Sequence, residues 1–216
     1  MKFVLASSSP RRKILLTELL KDLGHKRPHF TIIHANIDES RRRGERPITH
    51  ARRLAKEKAL CVAKRITDDP PSLKLRRTGG RRTTDDVLIL AADTIVVLGN
   101  QIFGKPRNKK HAAWMLSRLS GRRHRVITAF CVLTKRAHPL LCTKERARGE
   151  VELDHAISTV FFHNLSKSQI ETYIASKEPH DKAGAYAIQG SKFSLVRKII
   201  GSYTNVVGLP VEKVKK

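Results

Sequence analysis

The stretch Val87-Leu88-Ile89-Leu90-Ala91-Ala92-Asp93-Thr94-Ile95-Val96-Val97-Leu98 is an apolar run with one carboxylate and one hydroxyl at its centre. Its richness in Val and Ile predicts a buried strand. A carboxylate inside such a strand is costly unless a cation, a metal ion or hydrogen bonds compensate it, and such carboxylates tend to be functional. Asp93 therefore indicates a functional site on this strand. The alternative is a strand that ends at Ala92, with Asp93 and Thr94 forming a bend.

A tight turn follows this strand. Gly99-Asn100 separates it from residues 101–103, which predicts a β-hairpin. Residues 99–106 also have the glycine and lysine spacing of a Walker A loop, but Pro106 replaces the hydroxyl residue that would hold Mg²⁺, and the intervening residues are typical of a strand. We therefore reject a P-loop. Lys105 still lies beside the predicted hairpin, where it can meet a phosphate in a different geometry.

The N-terminal segment predicts an anion site. A short strand over residues 3–6 leads into a serine-rich turn that contains Ser7, and Ser9-Pro10 then supplies the N-cap and first position of a helix. Arg11 and Arg12 occupy the first turn, where the helix dipole disfavours cations unless an anion lies between them. Backbone N–H groups, hydroxyls and guanidinium groups together predict a phosphate cradle. The alternative is a pair of solvated arginines on an exposed turn.

Residues 30–35 predict a second strand, which is followed by two carboxylates, Asp38 and Glu39. In isolation these describe a solvated turn, whereas beside an anion site a carboxylate at a strand end is also where a divalent cation would be held. Residues 49–66 have the apolar periodicity of a helix, and Lys58 lies near the edge of its apolar face. Spacing alone does not distinguish Lys58 from a solvated lysine.

The rest of the chain alternates between helices and strands, with one loop of interest. Residues 178–190 are too rich in small and polar residues for a core element, and loops of this kind carry ligand contacts. Asn108 and Ser166 are predicted helix N-caps. The pattern predicts helices over residues 108–119 and 166–176 and extended strands over residues 125–134, 147–162 and 194–200.

Composition bounds the class of protein. A chain of 216 residues with 40% hydrophobic content makes one domain, or two lobes that share one core. The cysteines Cys61, Cys131 and Cys142 are odd in number and have no metal-ligand spacing, which disfavours a disulfide framework and predicts reduced thiols in a cytoplasmic protein. No apolar stretch approaches the roughly 20 residues of a membrane helix. We expect no membrane partner.

The chain carries a formal net charge of +25, which predicts attraction to nucleic acid, nucleotides or acidic membrane surfaces. Much of the excess lies in residues 67–86, a basic segment without periodicity that predicts a surface-loop insertion. Such a segment either touches nucleic acid or is a tolerated insertion, which is the more common case. Weak, non-specific binding of polyanions is expected in both cases.

Seven short stretches, spread over nearly the whole chain, together carry a resemblance to a known family. They are Leu5-Ala6-Ser7-Ser8-Ser9-Pro10-Arg11-Arg12, Leu54-Ala55-Lys56-Glu57-Lys58-Ala59, Ala91-Ala92-Asp93-Thr94, Gly104-Lys105-Pro106, Leu119-Ser120-Gly121-Arg122, Asp181-Lys182-Ala183-Gly184-Ala185-Tyr186-Ala187-Ile188-Gln189-Gly190 and Asn205-Val206-Val207-Gly208-Leu209-Pro210. In this order they resemble the Maf family of nucleoside triphosphate pyrophosphatases, and the match is specific although no single motif carries it.

The resemblance implies an α/β fold like that of the inosine triphosphate pyrophosphatases: an elongated, twisted mixed sheet flanked by helices, with a nucleotide cleft between two lobes of one domain over residues 1–216. It also implies the reaction, which is hydrolysis between the α- and β-phosphates of a nucleoside triphosphate to give the monophosphate and pyrophosphate. A homodimer is what the family suggests.

The resemblance implies roles for individual residues. Asp93 resembles the acceptor of the proton of the attacking water. Arg11, Thr94 and Gln189 match the triad that separates the branch acting on dTTP and UTP from the branch acting on 7-methyl-GTP, so dTTP and UTP, with modified pyrimidine nucleotides, are the expected substrates. The residues that resemble the phosphate and metal sites of the family are Ser7, Arg11, Glu39, Lys58 and Lys105.

A divalent cation (Mg²⁺, Mn²⁺ or Co²⁺) held by Glu39 and Asp93 would polarise the α-phosphate, and the cationic residues would neutralise the leaving pyrophosphate. Sequence leaves open whether Asp93 is the base or mainly a metal ligand. Asp181 and Lys182 are further candidates for the site.

The rival hypothesis is a basic nucleic-acid-binding regulatory protein built on the same fold. Against it, aromatic residues make up only 5% of the chain, and no helix-turn-helix, zinc or RNA-binding signature is present. A catalytically silent relative is disfavoured because every expected site residue is in place.

Overall fold

The computed structural model describes residues 1–68, 86–135, 150–176, 182–188 and 195–215. These ranges contain seven strands: β1 (Lys2–Leu5), β2 (Phe30–Ile32), β3 (Val87–Leu98), β4 (Gln101–Phe103), β5 (Arg123–Lys135), β6 (Glu150–Phe162) and β7 (Val196–Ile200). They also contain the helices α1 (Pro10–Asp22), α2 (Pro47–Asp68), α3 (Lys109–Leu119), α4 (Lys167–Ala175), α5 (Tyr203–Val207) and α6 (Val211–Val214), and a 3₁₀ turn at Ala183–Ala185.

The described strands form one open mixed sheet in the order β2-β1-β3-β5-β6-β7, with β4 paired to β3 outside this path. β1 runs parallel to β2 and β3, and all the other pairs are antiparallel. Helices flank the sheet, so the predicted α/β class with a mixed sheet is confirmed.

Strand β3 passes through Asp93 without a break. Asp93 pairs with Ala129 of β5, and Thr94 pairs with Thr128. The alternative of a strand that ends at Ala92 is therefore wrong. The hairpin prediction is confirmed, since Leu98 pairs with Gln101 across a turn in which Gly99 has a φ of +60°. A positive φ is readily adopted by glycine and rarely by other residues.

Alternate residues of β3 are buried beneath different helices, as the two-residue period of a strand requires. We call the side with Ile89, Ala91 and Asp93 the α2 face and the side with Leu90, Ala92 and Thr94 the α1 face. The buried α2 residues clustered with Ile89 and Ala91 are Ala51, Ala55, Ala59 and Val62. The buried α1 residues clustered with Leu90 and Ala92 are Leu15, Leu16, Leu19 and Leu20.

A third cluster lies around α3 and α4, where Met115, Leu116 and Tyr173 are buried with Val96 of β3. The N-cap predictions at Asn108 and Ser166 are confirmed: Asn108 accepts a hydrogen bond from the His111 N–H, and Ser166 forms a capping box with Gln169. These caps depend on residues three apart, which is why the sequence reveals them.

Element boundaries differ from the prediction where tertiary contacts decide them. β2 spans three residues rather than residues 30–35, because its pairing with β1 ends at Leu5 and Ile32. α2 begins at Pro47, two residues before the predicted start, and proline is well suited to a first helical position. α5, capped by Ser202, was not predicted as a helix.

Some predictions fall outside the described residues: residues 69–85 of the basic insertion predicted over residues 67–86, Gln189 and Asp181. Helix α2 includes residues 67 and 68, the first two of that predicted insertion. Within the described ranges, no helix has the length and apolarity that a membrane crossing requires. The arrangement of the chain as one domain in two lobes stays a prediction.

Candidate active site

A cleft of about 310 Å³ opens where the turn after β1, helix α2, strand β3 and the residues 182–188 meet. It brings together all the predicted site residues that the structure describes, although they come from six separate stretches of the chain. These residues are Ser7, Arg11, Glu39, Lys58, Asp93, Thr94, Lys105 and Lys182.

Lys58 is the partner of the buried carboxylate. Asp93 lies on the α2 face of β3, which directs it towards α2, and the Lys58 ammonium lies 2.7 Å from Asp93 Oδ1. The same nitrogen lies 2.7 Å from Glu39 Oε1. Lys58 and Asp93 are only 8% and 7% exposed, so the pair is shielded from bulk water and its attraction is screened less than that of a surface ion pair.

Glu39 is the solvent-facing member of this trio, with its side chain 52% exposed. Partial burial raises the pKa of Glu39, but the hydrogen bond and charge of Lys58, together with the charges of Lys105 and Arg12, hold it below its usual value. Glu39 is therefore a carboxylate at neutral pH, available to a cation at the mouth of the cleft.

Arg12 lies on the other side of β3. Its Nε donates to the Gly208 carbonyl at 2.8 Å, one terminal nitrogen donates to Ser7 Oγ at 3.1 Å, and the other donates to Thr94 Oγ1 at 2.9 Å. Burial lowers the pKa of Arg12, Asp93 opposes this and Arg11 adds to it, yet arginine stays protonated in proteins. Three of its five N–H donors are engaged in these bonds, so two remain for a ligand.

The predicted cradle at the start of α1 is present, with one difference. Ser7 is buried and accepts hydrogen bonds from the Ser9 N–H and from Arg12. Arg11 lines the cleft, but the guanidinium that the protein fixes in place is that of Arg12. The Ser9 hydroxyl makes no capping bond. The acceptor that fixes Arg12 most firmly, Gly208, lies 196 residues away and leaves no local signal in the sequence.

Lys105 follows the hairpin and is exposed at the edge of the cleft. The adjoining Gly104 carbonyl accepts a hydrogen bond from the Gly184 N–H at 3.0 Å, which ties the hairpin to the 3₁₀ turn. Gly184 has a φ of +71°, and a Cβ at this position would lie 3.1 Å from Val96 Cγ2. Both the backbone conformation and the close contact require glycine here.

Tyr186 forms part of the cleft wall and is anchored by a buried histidine. Its hydroxyl lies 2.8 Å from His124 Nε2, and both side chains pack edge-on against Phe162. Burial lowers the pKa of His124 to about 4 and raises the pKa of Tyr186. The pair is neutral at pH 7, and within the described residues His124 Nδ1 has no hydrogen-bond partner.

A buried cluster of charged side chains holds the residue that follows Glu39. Glu45 accepts from Arg53 Nε at 2.7 Å and lies 2.9 Å from His50 Nδ1, and Arg53 also donates to the Ser40 carbonyl at 2.9 Å. The Arg53 hydrogen bond is the largest cause that lowers the pKa of Glu45 to about 2. This cluster fastens the loop after Glu39 to the helix that carries Lys58. Sequence reasoning missed it.

The oxygen donors of the cleft suit a hard divalent cation. Glu39 and Asp93 already share one positive atom, Lys58 Nζ, between them. The described residues contain no group of three or more His, Cys, Asp or Glu side chains that would hold a metal. Mg²⁺ is often bound by one or two carboxylates together with substrate phosphates and water, so the donor set fits an ion that arrives with a phosphorylated ligand.

Known proteins resemble this chain over nearly its whole length. The family model described as Maf-like protein matches residues 2–216. A dTTP/UTP pyrophosphatase of Syntrophus aciditrophicus is 39% identical over 213 residues, covering 99% of this chain and 86% of the relative. One from Aquifex aeolicus is 38% identical over 216 residues, covering 100% and 93%, and one from Chromobacterium violaceum is 41% identical over 216 residues, covering 98% and 90%.

Proposed function

The chain belongs to the Maf-like family, and from that premise we propose that it is a nucleoside triphosphate pyrophosphatase acting on dTTP and UTP. It would hydrolyse the bond between the α- and β-phosphates and release the nucleoside monophosphate and pyrophosphate. The observation that carries the proposal is the buried Asp93, paired with Lys58 in a cleft where Arg12 and Lys105 supply further positive charge. The names of the relatives support the substrates.

The cleft is suited to a polyanion of small size. Its volume of about 310 Å³ lies at the lower end of the range of about 300–1,000 Å³ that is usual for small-molecule sites. Positive groups come from α1, α2 and the hairpin, so they surround the cleft rather than form one flat patch. A triphosphate would place its charge against Arg12 and Lys105, because carboxylates already neutralise Lys58.

Asp93 is suited to accept the proton of the attacking water. Lys58 binds its Oδ1, and within the described ranges no hydrogen bond engages Oδ2. In the proposed reaction the water oxygen attacks the α-phosphorus and its proton passes to the Asp93 carboxylate. The bond from the α-phosphorus to the bridging oxygen breaks, and its electron pair leaves with pyrophosphate.

The leaving pyrophosphate gains negative charge as this bond breaks. The two remaining N–H donors of Arg12, the Lys105 ammonium and the N–H groups at the start of α1 are the groups available to stabilise it. Because protein contacts already hold Arg12 in place, little conformational entropy is lost when it meets the phosphates.

Glu39 and Asp93 would hold Mg²⁺, Mn²⁺ or Co²⁺ together with substrate phosphates. Such an ion neutralises phosphate charge and polarises the reacting phosphorus–oxygen bond. Titration of the metal with Glu39→Gln tests this assignment. We expect the variant to need a higher metal concentration for half-maximal rate, and an unchanged requirement would remove Glu39 from the metal site.

The remaining proposals concern location and assembly. The resemblance of the whole chain to the family supports a homodimer. The odd number of cysteines, of which Cys61 and Cys131 are free thiols, supports a cytoplasmic enzyme. The net charge of +25 supports weak, non-specific binding of polyanions in addition to the substrate. Light scattering of the purified protein tests the dimer: the mass of a single chain would contradict it.

The test is pyrophosphate release from a panel of canonical and modified nucleoside triphosphates with Mg²⁺ or Mn²⁺. We expect release from dTTP and UTP that Asp93→Asn abolishes and Asp154→Asn leaves intact. Asp154 is a matched control because it is also paired with a lysine, Lys213 at 2.8 Å, and lies outside the cleft. A changed base preference in Gln189→Ala would place that residue at the base. No release from any triphosphate by folded protein would overturn the proposal.

A further inference from the structure

A line of buried hydroxyl and amide groups runs from the cleft into the protein beneath it. Thr94 Oγ1 lies 2.9 Å from Thr128 Oγ1, because the two residues are paired across β3 and β5. Thr128 Oγ1 in turn donates to the Asn205 backbone carbonyl at 2.8 Å. Thr128 and Asn205 are both 0% exposed, so water does not compete for these bonds.

The geometry fixes the direction of each hydrogen bond in this line. A carbonyl oxygen only accepts, so the single proton of the Thr128 hydroxyl points at Asn205. Thr94 must therefore donate to Thr128 rather than accept from it. With its proton directed away from the cleft, Thr94 has only lone pairs left, and Arg12 donates to one of them.

The hydrogen bonds of the Asn205 side chain hold this residue in one orientation. Its Oδ1 accepts from the Thr128 N–H at 3.1 Å, and its Nδ2 donates to the Val126 carbonyl at 3.1 Å and to Ser158 Oγ at 2.9 Å. If the Asn205 amide were flipped, its NH₂ group would face the Thr128 N–H and its oxygen would face the Val126 carbonyl, so buried polar groups would lose their hydrogen bonds. The backbone carbonyl of Asn205 is thereby held facing the Thr128 hydroxyl.

The segment of residues 202–208 thus reaches Arg12 from two sides. Gly208 accepts from Arg12 Nε directly, and Asn205 acts through Thr128 and Thr94 on a terminal nitrogen. In both cases the atom that faces Arg12, the Gly208 carbonyl oxygen or Thr94 Oγ1, acts only as a hydrogen-bond acceptor. The guanidinium is oriented without any carboxylate within ion-pair distance among the described residues, so its charge is not neutralised by direct contact.

We propose that Thr128 and Asn205 are positioning residues that direct the Thr94 hydroxyl and so hold Arg12 with two N–H donors free for the triphosphate. This inference rests on the proposed function. It assigns a role in substrate binding to two buried residues that do not touch the substrate.

The experiment compares Thr128→Val, which removes the hydroxyl, with Thr128→Ser, which keeps it. We expect kcat/KM for dTTP to fall about tenfold in Thr128→Val, because Thr94 loses its acceptor and its hydroxyl proton is then free to turn towards the N–H donor of Arg12. In Thr128→Ser, which keeps the acceptor, kcat/KM should stay within about twofold of wild type. Thr134→Val is the matched control, since Thr134 lies on the same strand and the same face but outside the cleft.

A double-variant cycle separates positioning from general damage to the fold. In an Arg12→Lys background, Thr128→Val should have little further effect on kcat/KM, because the group it positions is already gone. Undiminished losses in that background would overturn the proposal, as would equal activity of Thr128→Val and wild type, or equal losses in the valine and serine variants.

Two further measurements keep the inference testable. If Thr128→Val does not fold, Thr128→Cys keeps the bulk and replaces the hydroxyl with a weaker donor, and the same comparison with Thr128→Ser applies. If wild-type protein releases no pyrophosphate, the proposed function fails on its own. Calorimetric affinity for dTTP then replaces kcat/KM, and an unchanged affinity in Thr128→Val would overturn the positioning role.

Discussion

The two faces of β3 hold their charged groups in opposite ways. On the α2 face, Lys58 lies 2.7 Å from each of two carboxylates, so its charge is neutralised by direct contact. On the α1 face, Arg12 is held by two hydroxyls and a carbonyl, all of them neutral. Adjacent residues of one strand, Asp93 and Thr94, thus lead to different electrostatic environments.

The difference indicates a division of labour. A cation whose charge is neutralised supports the carboxylate beside it, whereas a cation with neutral partners keeps its attraction for an incoming phosphate. We therefore propose that the α2 face supplies the proton acceptor and that the α1 face binds the triphosphate. The predictions for Lys58, Arg12 and Gly208 each test one side of this division.

The largest effect is expected from Lys58→Met. It leaves Asp93 buried without its partner, and breaking a buried pair in this way costs about 3 kcal/mol of unfolding free energy. Chemical denaturation at pH 7 measures the loss. The double variant Lys58→Met with Asp93→Asn should recover most of the stability but none of the activity. A double variant as unstable as Lys58→Met would contradict the ion pair as the cause.

His124 provides a third case, in which burial rather than pairing sets the ionisation. Its pKa is lowered from 6.5 in the unfolded chain to about 4 in the folded protein. The unfolded state therefore binds more protons between these values, and stability falls as the pH drops from about 6.5 to about 4, by about 3 kcal/mol in total.

Denaturation at a series of pH values measures this dependence. In His124→Gln the histidine's contribution to the slope should disappear, whereas His163→Gln, at an exposed position, should leave the slope in place. Parallel curves for wild type and His124→Gln would show that His124 is not the titrating group.

A smaller effect is expected from Arg12→Lys. An ammonium keeps the charge but lacks the planar arrangement of donors that meets Ser7, Thr94 and Gly208 together. We expect kcat/KM for dTTP to fall by about 10- to 100-fold, or about 1.4–2.7 kcal/mol, with little change in Tm. Steady-state kinetics measures the change in kcat/KM, and thermal melting of the same variant measures the change in Tm. A large drop in Tm with intact kinetics would assign Arg12 to stability instead.

The smallest effect is expected from Gly208→Ala. Gly208 has a φ of +128°, and an added Cβ would lie 3.4 Å from Thr94 Oγ1 and 3.5 Å from Arg12 Nε. The contacts are tolerable, but the backbone conformation is not favoured by alanine, so stability should fall by about 1 kcal/mol. Gly44→Ala, also at positive φ (+73°) but in open space, is the control for the conformational part.

Local rules predicted much of the fold. The β3 run, its hairpin and the caps at Asn108 and Ser166 depend on residues within a few positions of one another, and all are confirmed. The extent of β2 was wrong because its length depends on β1, its partner strand. Helix α5 escaped prediction because it is five residues long and is held by tertiary bonds from Asn205.

The candidate site was predictable in its members but not in its pairings. A buried Asp93 required a partner, but spacing does not distinguish Lys58 from the other lysines of α2. What distinguishes it is its contact with Asp93 on the α2 face of β3. Both Arg11 and Arg12 lie in the first turn of α1, and the sequence favoured Arg11 by resemblance, whereas the contacts with Ser7, Thr94 and Gly208 fix Arg12. Thr128 and Asn205 could not be found, because their role depends on register and on a contact 77 residues apart.

The most direct test of the division of labour measures binding and turnover of dTTP in the same preparation of Asp93→Asn with Mg²⁺. The account predicts that the variant binds dTTP with an affinity within about tenfold of wild type, because the α1 face is intact and Glu39 remains to hold the metal ion, while pyrophosphate release falls at least about 100-fold. Loss of binding in proportion to turnover, or turnover that persists, would contradict it.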